Sequence, residues 1–233
     1  MYHRVTETEP VDYLTIHAND LDQQLQYLQE NGYTTVSAQQ LIDYQYGRQP
    51  LPPKPVMITF DDGYHDSYTL LYPRLIKYGM KATIFLVPSL VRQTGQSYPD
   101  RKFMSEEQLR EMDPAIIQFG LHSFDHSSYK EMTAPQIAAD IDQCRDFFKK
   151  IRVPVLPILA YTFGAYPKTG EPRKALAQVL SDKGIRLAFR IGNRINRLPV
   201  KQPFVVQRID VRGNETFRHF RKKLRWGKMY KLW

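Results

Sequence analysis

The stretch VMITFDDGYHDSYTLLYPRLIKYGMKATIFLV, residues 56–87, reads as a strand, a helix and a second strand in succession. VMITF (56–60) and ATIFLV (82–87) are short and rich in Val, Ile and Phe, which favours strand over helix. The helical segment between them runs from about Asp66 to Tyr78 and stops at Gly79. Pro73 must kink or interrupt it, because proline has no N–H to donate and its ring crowds the preceding turn.

The same alternation extends in both directions. Further strand candidates are MYHRV (1–5), IIQFGL (116–121), LPILAY (156–161), RLAFRI (186–191) and FVVQRIDV (204–211), with another short one near Thr34–Val36. Leu21, Leu25 and Leu28 recur at helical spacing before Gly32, and Ser37 caps a helix that ends by Gly47. Ser105 with Gln108, and Thr133 with Gln136, read as capping boxes. Arg173–Lys183 forms a helix ending at Gly184, and Asn214 caps the last one. Alternating β and α implies a mostly parallel sheet covered by helices. Seven or eight strands in 233 residues fit an α/β fold of one kind, a compact (β/α) barrel, whether complete, incomplete or distorted. A doubly wound open sheet is the alternative, and no GxGxxG turn supports it. The proline-rich GRQPLPPKP (47–55) is a loop rather than a linker.

Hydrophobic residues make up 42% of the chain, enough for a substantial core, and no apolar run is long enough to cross a membrane. MYHRV lacks the features of a secretory signal, so the expected compartment is the cytoplasm, or outside it if an upstream leader is missing. The single cysteine, Cys144, excludes an intrachain disulfide. Charge is uneven: residues 186–233 hold 14 Lys or Arg against 2 Asp or Glu. A solvated basic surface is one reading, and attraction to an anionic glycan or membrane face is the other. Nucleic acid is not expected, since no binding motif accompanies the charge.

Two motifs carry chemistry. TFDDGY (59–64) sets adjacent carboxylates, Asp61 and Asp62, directly after an apolar strand, with Gly63 permitting a tight turn. In a parallel βα fold this is the C-terminal strand edge, where active sites are built. Neighbouring side chains on extended backbone diverge, so one carboxylate can face a metal and the other a substrate; the alternative is an Asp that only caps the next helix. HSFDH (122–126) again follows an apolar strand, and His122 and His126 are spaced to converge on one ion. With Asp62 they supply two nitrogens and one oxygen and leave positions open, a catalytic rather than structural set. One divalent ion is implied, Zn²⁺ first, with Co²⁺, Ni²⁺ or Fe²⁺ served by the same donors.

TFDDGY and HSFDH together resemble the first two motifs of the polysaccharide deacetylases, the NodB-homology or carbohydrate esterase 4 family, over about residues 1–211. The resemblance implies a NodB-type barrel over that span, with residues 212–233 as a basic helical extension packed on the same domain. It also implies Asp61 as general base and Asp62, His122 and His126 as metal ligands. The third family motif, RxPYG, is matched by Ala160-Tyr161-Thr162-Phe163-Gly164, which implies the Phe163 N–H as oxyanion donor. Ala160 stands where the family has the Arg that holds the base, and Arg208 in FVVQRIDV is the candidate replacement. His3 in MYHRV resembles the general acid of the permuted subgroup typified by poly-N-acetylglucosamine deacetylases, where that residue lies on the first strand. His219 lies in a basic helical pattern and is the second choice. Tyr64, Tyr161 and Tyr166, and Phe124 beside the histidines, are candidates to stack on sugar rings.

The implied activity is metal-dependent hydrolysis of the N-acetyl group of N-acetylhexosamine units in a polysaccharide or oligosaccharide. Three rivals stand beside it: a non-haem iron oxygenase, a carbohydrate-binding relative impaired by the change at Ala160, and a polyanion or membrane binder acting through the basic C-terminal segment.

Overall fold

The computed structural model describes residues 1–91 and 103–227; the last six residues of the expected C-terminal extension lie outside the described residues. The first half contains β1 (Arg4–Thr6), β2 (Thr15–His17), α1 (Ala18–Glu30), β3 (Thr34–Thr35), α2 (Ala38–Gln45), β4 (Pro55–Val56), β5 (Ile58–Asp62) and α3 (Tyr72–Tyr78). The second contains β6 (Ala82–Leu86), α4 (Glu106–Glu111), β7 (Ile117–Leu121), α5 (Ala134–Ile151), β8 (Ile158–Ala160), α6 (Gly170–Asp182), β9 (Leu187–Ile191), β10 (Val206–Arg208) and α7 (Phe217–Trp226). Strands β5 to β10 form one parallel sheet in which sequence order is spatial order. This is the (β/α) barrel expected from the alternation.

Residues 1–2 close the gap between the sheet's two edges. Tyr2 donates its N–H to Thr59 O (2.8 Å) and accepts the Asp61 N–H (3.0 Å), while Met1 O accepts the Val211 N–H (3.0 Å). The expected strand 1–5 is therefore split: Tyr2 bridges to Phe60, and Arg4–Thr6 turns away to pair with Thr15–His17. That second strand was not expected, because three residues give too short a run to read.

Period-two alternation sorts the sheet into two faces. Ile58, Phe60, Ile84, Phe119 and Leu159 pack outward against the helices. Phe85, Ile158, Ala160, Leu187, Phe189 and Val206 fill the barrel interior. The crowding there explains Gly120, whose missing Cβ would lie 2.8 Å from both the Phe85 ring and Ile158. Filling by rings of this size contributes roughly 1.5–3 kcal/mol per buried side chain.

Both expected capping boxes form, at Ser105–Gln108 and Thr133–Gln136, and the Ser37 cap proves to be a box with Gln40. Pro73 acts as foreseen: Ser67–Leu71 opens into a π turn, which delivers Pro73 to the first turn of α3, where no N–H is needed. Asn214 is not the last cap. Thr216 is, its hydroxyl accepting the His219 N–H, since the chain still runs as a turn through Asn214. Helix α7 then packs Phe217 and Phe220 against Tyr27 of α1. Among the described residues no helix is long and apolar enough to cross a membrane.

Candidate active site

Alternation along β5 turns Thr59 and Asp61 into the barrel, because Ile58 and Phe60 pack outward. On β10 the same rule sends Val206 and Arg208 inward. The two meet in a bidentate pair: Arg208 Nη1 donates to Asp61 Oδ1 at 2.6 Å and Nη2 to Oδ2 at 2.7 Å, both residues buried. Burial pushes the Asp61 carboxyl upward, but the Arg208 guanidinium, with His122 and His3, more than reverses this and holds it well below the usual range. The guanidinium absent at position 160 thus arrives from β10. Ala160, inside the barrel on β8, contributes its carbonyl instead.

That carbonyl accepts the Nδ1–H of His122 at 2.8 Å. This fixes the tautomer and leaves His122 Nε2 as the available donor atom. Burial lowers the pKa of His122, against the pull of the two aspartates, which favours the neutral imidazole a ligand must be.

Asp62 would point outward if β5 stayed extended. Its φ of +74° breaks the alternation and swings the carboxylate to the side of the histidines. His122 Nε2 lies 3.4 Å and His126 Nε2 3.2 Å from Asp62 Oδ1, itself a buried oxygen with no hydrogen-bond partner among the described residues. The three donors lie within 4.8 Å of one another. An orphaned carboxylate oxygen facing two imidazole nitrogens fits a divalent cation. The backbone is strained around it: Asp62, Ser123, His126 and Phe163 all have φ between +56° and +74°. Only over-determined structure holds non-glycine residues there, and such strain collects at functional sites.

The clamp on the histidine turn comes from a residue that the sequence reading passed over. Asp140 of α5 accepts the Phe124 N–H on Oδ1 (2.9 Å) and the Tyr129 hydroxyl on Oδ2 (2.6 Å). Its signal was available: an aspartate at helical spacing between Ile137, Ile141 and Cys144 on the buried face. Asp140→Ala is expected to weaken metal binding about 10–100-fold, as loss of an outer support does. Titration of the metal checks this, with Asp140→Asn retaining part of the affinity through its amide oxygen.

His3 follows Tyr2 on the closing segment, half-buried, and is near enough to both carboxylates to lower their pKa values. His219 sits on the exposed face of α7 beside Glu215, 3.9 Å away. Phe163 lies on a turn, 69% exposed, its ring packed edge-on against His126 with centroids 4.8 Å apart. Phe124 packs against the core. Tyr64 stacks on Phe103 at 4.8 Å and lies under Arg4.

Two of the expected sugar-stacking residues are elsewhere. Tyr161 and Tyr166 are buried and stack on each other at 4.8 Å. Tyr161 donates its hydroxyl to Phe204 O and Tyr166 accepts from Arg190. Their ring faces are spent on the core, which corrects the expectation for both.

The fold and this constellation define a class. The chain belongs to the polysaccharide deacetylase family, of the NodB-type carbohydrate esterase 4 kind: residues 48–188 match the family model described as polysaccharide deacetylase. Among relatives, YxkH of Bacillus subtilis is 30% identical over 166 residues, 71% of this chain and 56% of that protein. The poly-β-1,6-N-acetyl-D-glucosamine N-deacetylase of Escherichia coli K12 is 31% identical over 134 residues, 53% of this chain and 20% of that protein. The chain thus spans about half the length of the first of these relatives and a fifth of the second. Two solved structures share the fold. The Streptococcus pyogenes deacetylase PplD, in complex with acetate, superposes with a TM-score of 0.81 at 21% identity, covering 96% of each chain. IcaB from Ammonifex degensii gives 0.76 at 24% identity, covering 97% of this chain and 96% of its own.

Proposed function

We propose that this protein is a metal-dependent N-deacetylase that removes acetyl groups from N-acetylhexosamine units of a polysaccharide or oligosaccharide. The observation that carries the reading is the juxtaposition of Asp62, His122 and His126 with the Arg208-bound carboxylate of Asp61. A divalent ion in the three-residue set, zinc by its donor types, supplies a Lewis acid and a water of lowered pKa.

The protein's own groups do the rest. Asp61, held ionised by Arg208, accepts the proton of the water that attacks the acetamide carbon. The Phe163 N–H donates to the carbonyl oxygen as it becomes anionic, a contact worth roughly 2.7–4 kcal/mol. His3 delivers a proton to the amine nitrogen as the C–N bond breaks, so acetate and a free amino sugar leave. The exposed ring of Phe163 offers apolar contact to a pyranose face.

Support for a poly-N-acetylglucosamine-like substrate comes from the E. coli relative's activity and from His3 on the N-terminal segment beside both aspartates. The change at Ala160 gave weight to an inactive binding relative, and Arg208 removes most of that weight. Asp61→Asn is expected to retain metal at wild-type stoichiometry while turnover falls by 10² or more, the contribution typical of a general base. Acetate release and metal content measured on one preparation check this; an active Asp61→Asn protein contradicts the role. His3→Ala is expected to lower kcat by 10²–10⁴ with metal content unchanged. An unaltered rate would contradict the role of His3, and His219, on the exposed face of α7 beside Glu215, does not stand by to take it.

A further inference from the structure

The barrel seam encloses a cavity that Arg208 and Thr59 line in part. Tyr2 bridges the edges of β5 and the segment after β10 only at the level of Thr59–Asp61 and Ile209–Val211. Below that, Val56–Ile58 and Val206–Gln207 face each other unpaired, and a space of about 320 Å³ opens between them. Its size is that of a small-ligand site. The floor is apolar, made by residues such as Ile58, Phe189 and Val206. Among the described residues no carboxylate lines it.

The mouth is recognised by lining residues that also reach solvent: Lys54, Arg194 and Ile195, the last 52% exposed. Neither Lys54 nor Arg194 has an acidic partner among the described residues. Helix α7 ends at this rim, because a Cβ on Gly227 would sit 3.3 Å from the Arg194 Cα. That contact brings Trp226, 57% exposed, and Arg225 to the same edge. The two carboxylates in this part of the chain are turned away: Asp210 toward Tyr13 and Arg212, Glu215 toward Lys223. The charged side chains at the mouth, Lys54 and Arg194, are both positive.

An apolar slot with a cationic mouth, flanked by an exposed tryptophan and isoleucine, matches an anionic amphiphile lying in an interface. We infer that the seam cavity takes the hydrocarbon chain of an anionic membrane lipid, with Lys54, Arg194 and Arg225 on its headgroup and Trp226 and Ile195 in the interfacial layer. The protein would then work against a membrane face. The inference is independent of the deacetylase reading.

The test uses the full chain carrying Trp233→Phe, which leaves Trp226 as the one tryptophan of the two present. It is mixed with vesicles of phosphatidylglycerol and phosphatidylcholine, or of phosphatidylcholine alone. The expected result is flotation and a blue-shifted Trp226 emission with the anionic vesicles only, and one phosphatidylglycerol retained per chain in native mass spectrometry. Lys54→Glu with Arg194→Glu should weaken partitioning on the order of tenfold or more. Filling the slot by Val56→Phe should abolish lipid retention. Leu51→Trp, on the loop ahead of β4 and measured by retention alone, repeats the test if the strand variant does not fold. Retention untouched by a folded filling variant would overturn the inference. So would flotation without retained lipid, equal binding to dextran sulfate, or lipid uptake only after deletion of residues 228–233, which would make that segment the occupant.

Discussion

Asp62→Ala is expected to strip the protein of its metal, lowering affinity by more than about 100-fold, since a direct ligand matters more than the outer supports whose loss costs 10–100-fold. His122→Ala should do the same. Both changes leave the barrel intact, because Asp62 Oδ1 has no hydrogen-bond partner to lose and the His122 ring makes one bond, to Ala160 O. Acetate release should fall to background in both, and adding metal in excess should restore part of it in neither. Metal content by elemental analysis, with thermal unfolding as the control, separates this from misfolding. Normal metal content in both variants would remove the coordination set.

Arg208→Met is expected to be the most destabilising single change in the site. It leaves the Asp61 carboxylate buried in the barrel without a counter-charge, a loss of about 3–5 kcal/mol for a broken buried pair. For a chain of this size that lowers the Tm on the order of 10 °C. Activity should fall as well: with Arg208 gone, burial favours the protonated acid, which cannot accept a proton at neutral pH. Adding Asp61→Asn should recover much of the lost stability but none of the activity. A double-mutant cycle of this kind distinguishes the ion pair from Arg208's contact with the Phe85 ring. Additive losses would show that the two side chains do not act as a pair.

Much of this arrangement was legible in the residues. The βα order needs only short apolar runs and stops, and those were plain at VMITF, ATIFLV and Gly79. Motifs that directly follow apolar strands land on one barrel rim by topology alone, which is why Asp61, Asp62, His122 and His126 meet. Arg208 could be proposed because β10 ends at the same rim.

What stayed hidden depends on backbone that breaks the local pattern or on contacts distant in sequence. The φ of +74° at Asp62 has no signal beyond the glycine that follows. Asp140 is an aspartate on an apolar helix face, and its partners, the Phe124 N–H and Tyr129, are fixed only by packing. Tyr161 lies within the third motif and Tyr166 two residues after it, but both rings turn into the core and stack on each other, and sequence proximity does not report side-chain direction. The departure of strand β1 from the closing segment is likewise unreadable, since both stretches belong to one run of six residues.

The most direct test is acetate release from a defined N-acetylglucosamine oligomer by chelator-treated protein, before and after one equivalent of zinc is returned. The arrangement of Asp62, His122 and His126 beside Asp61 predicts no release without metal, recovery with it, and no recovery in Asp62→Ala. Release that survives the chelator, or stoichiometric metal uptake with no acetate freed from any acetylated glycan, would contradict it.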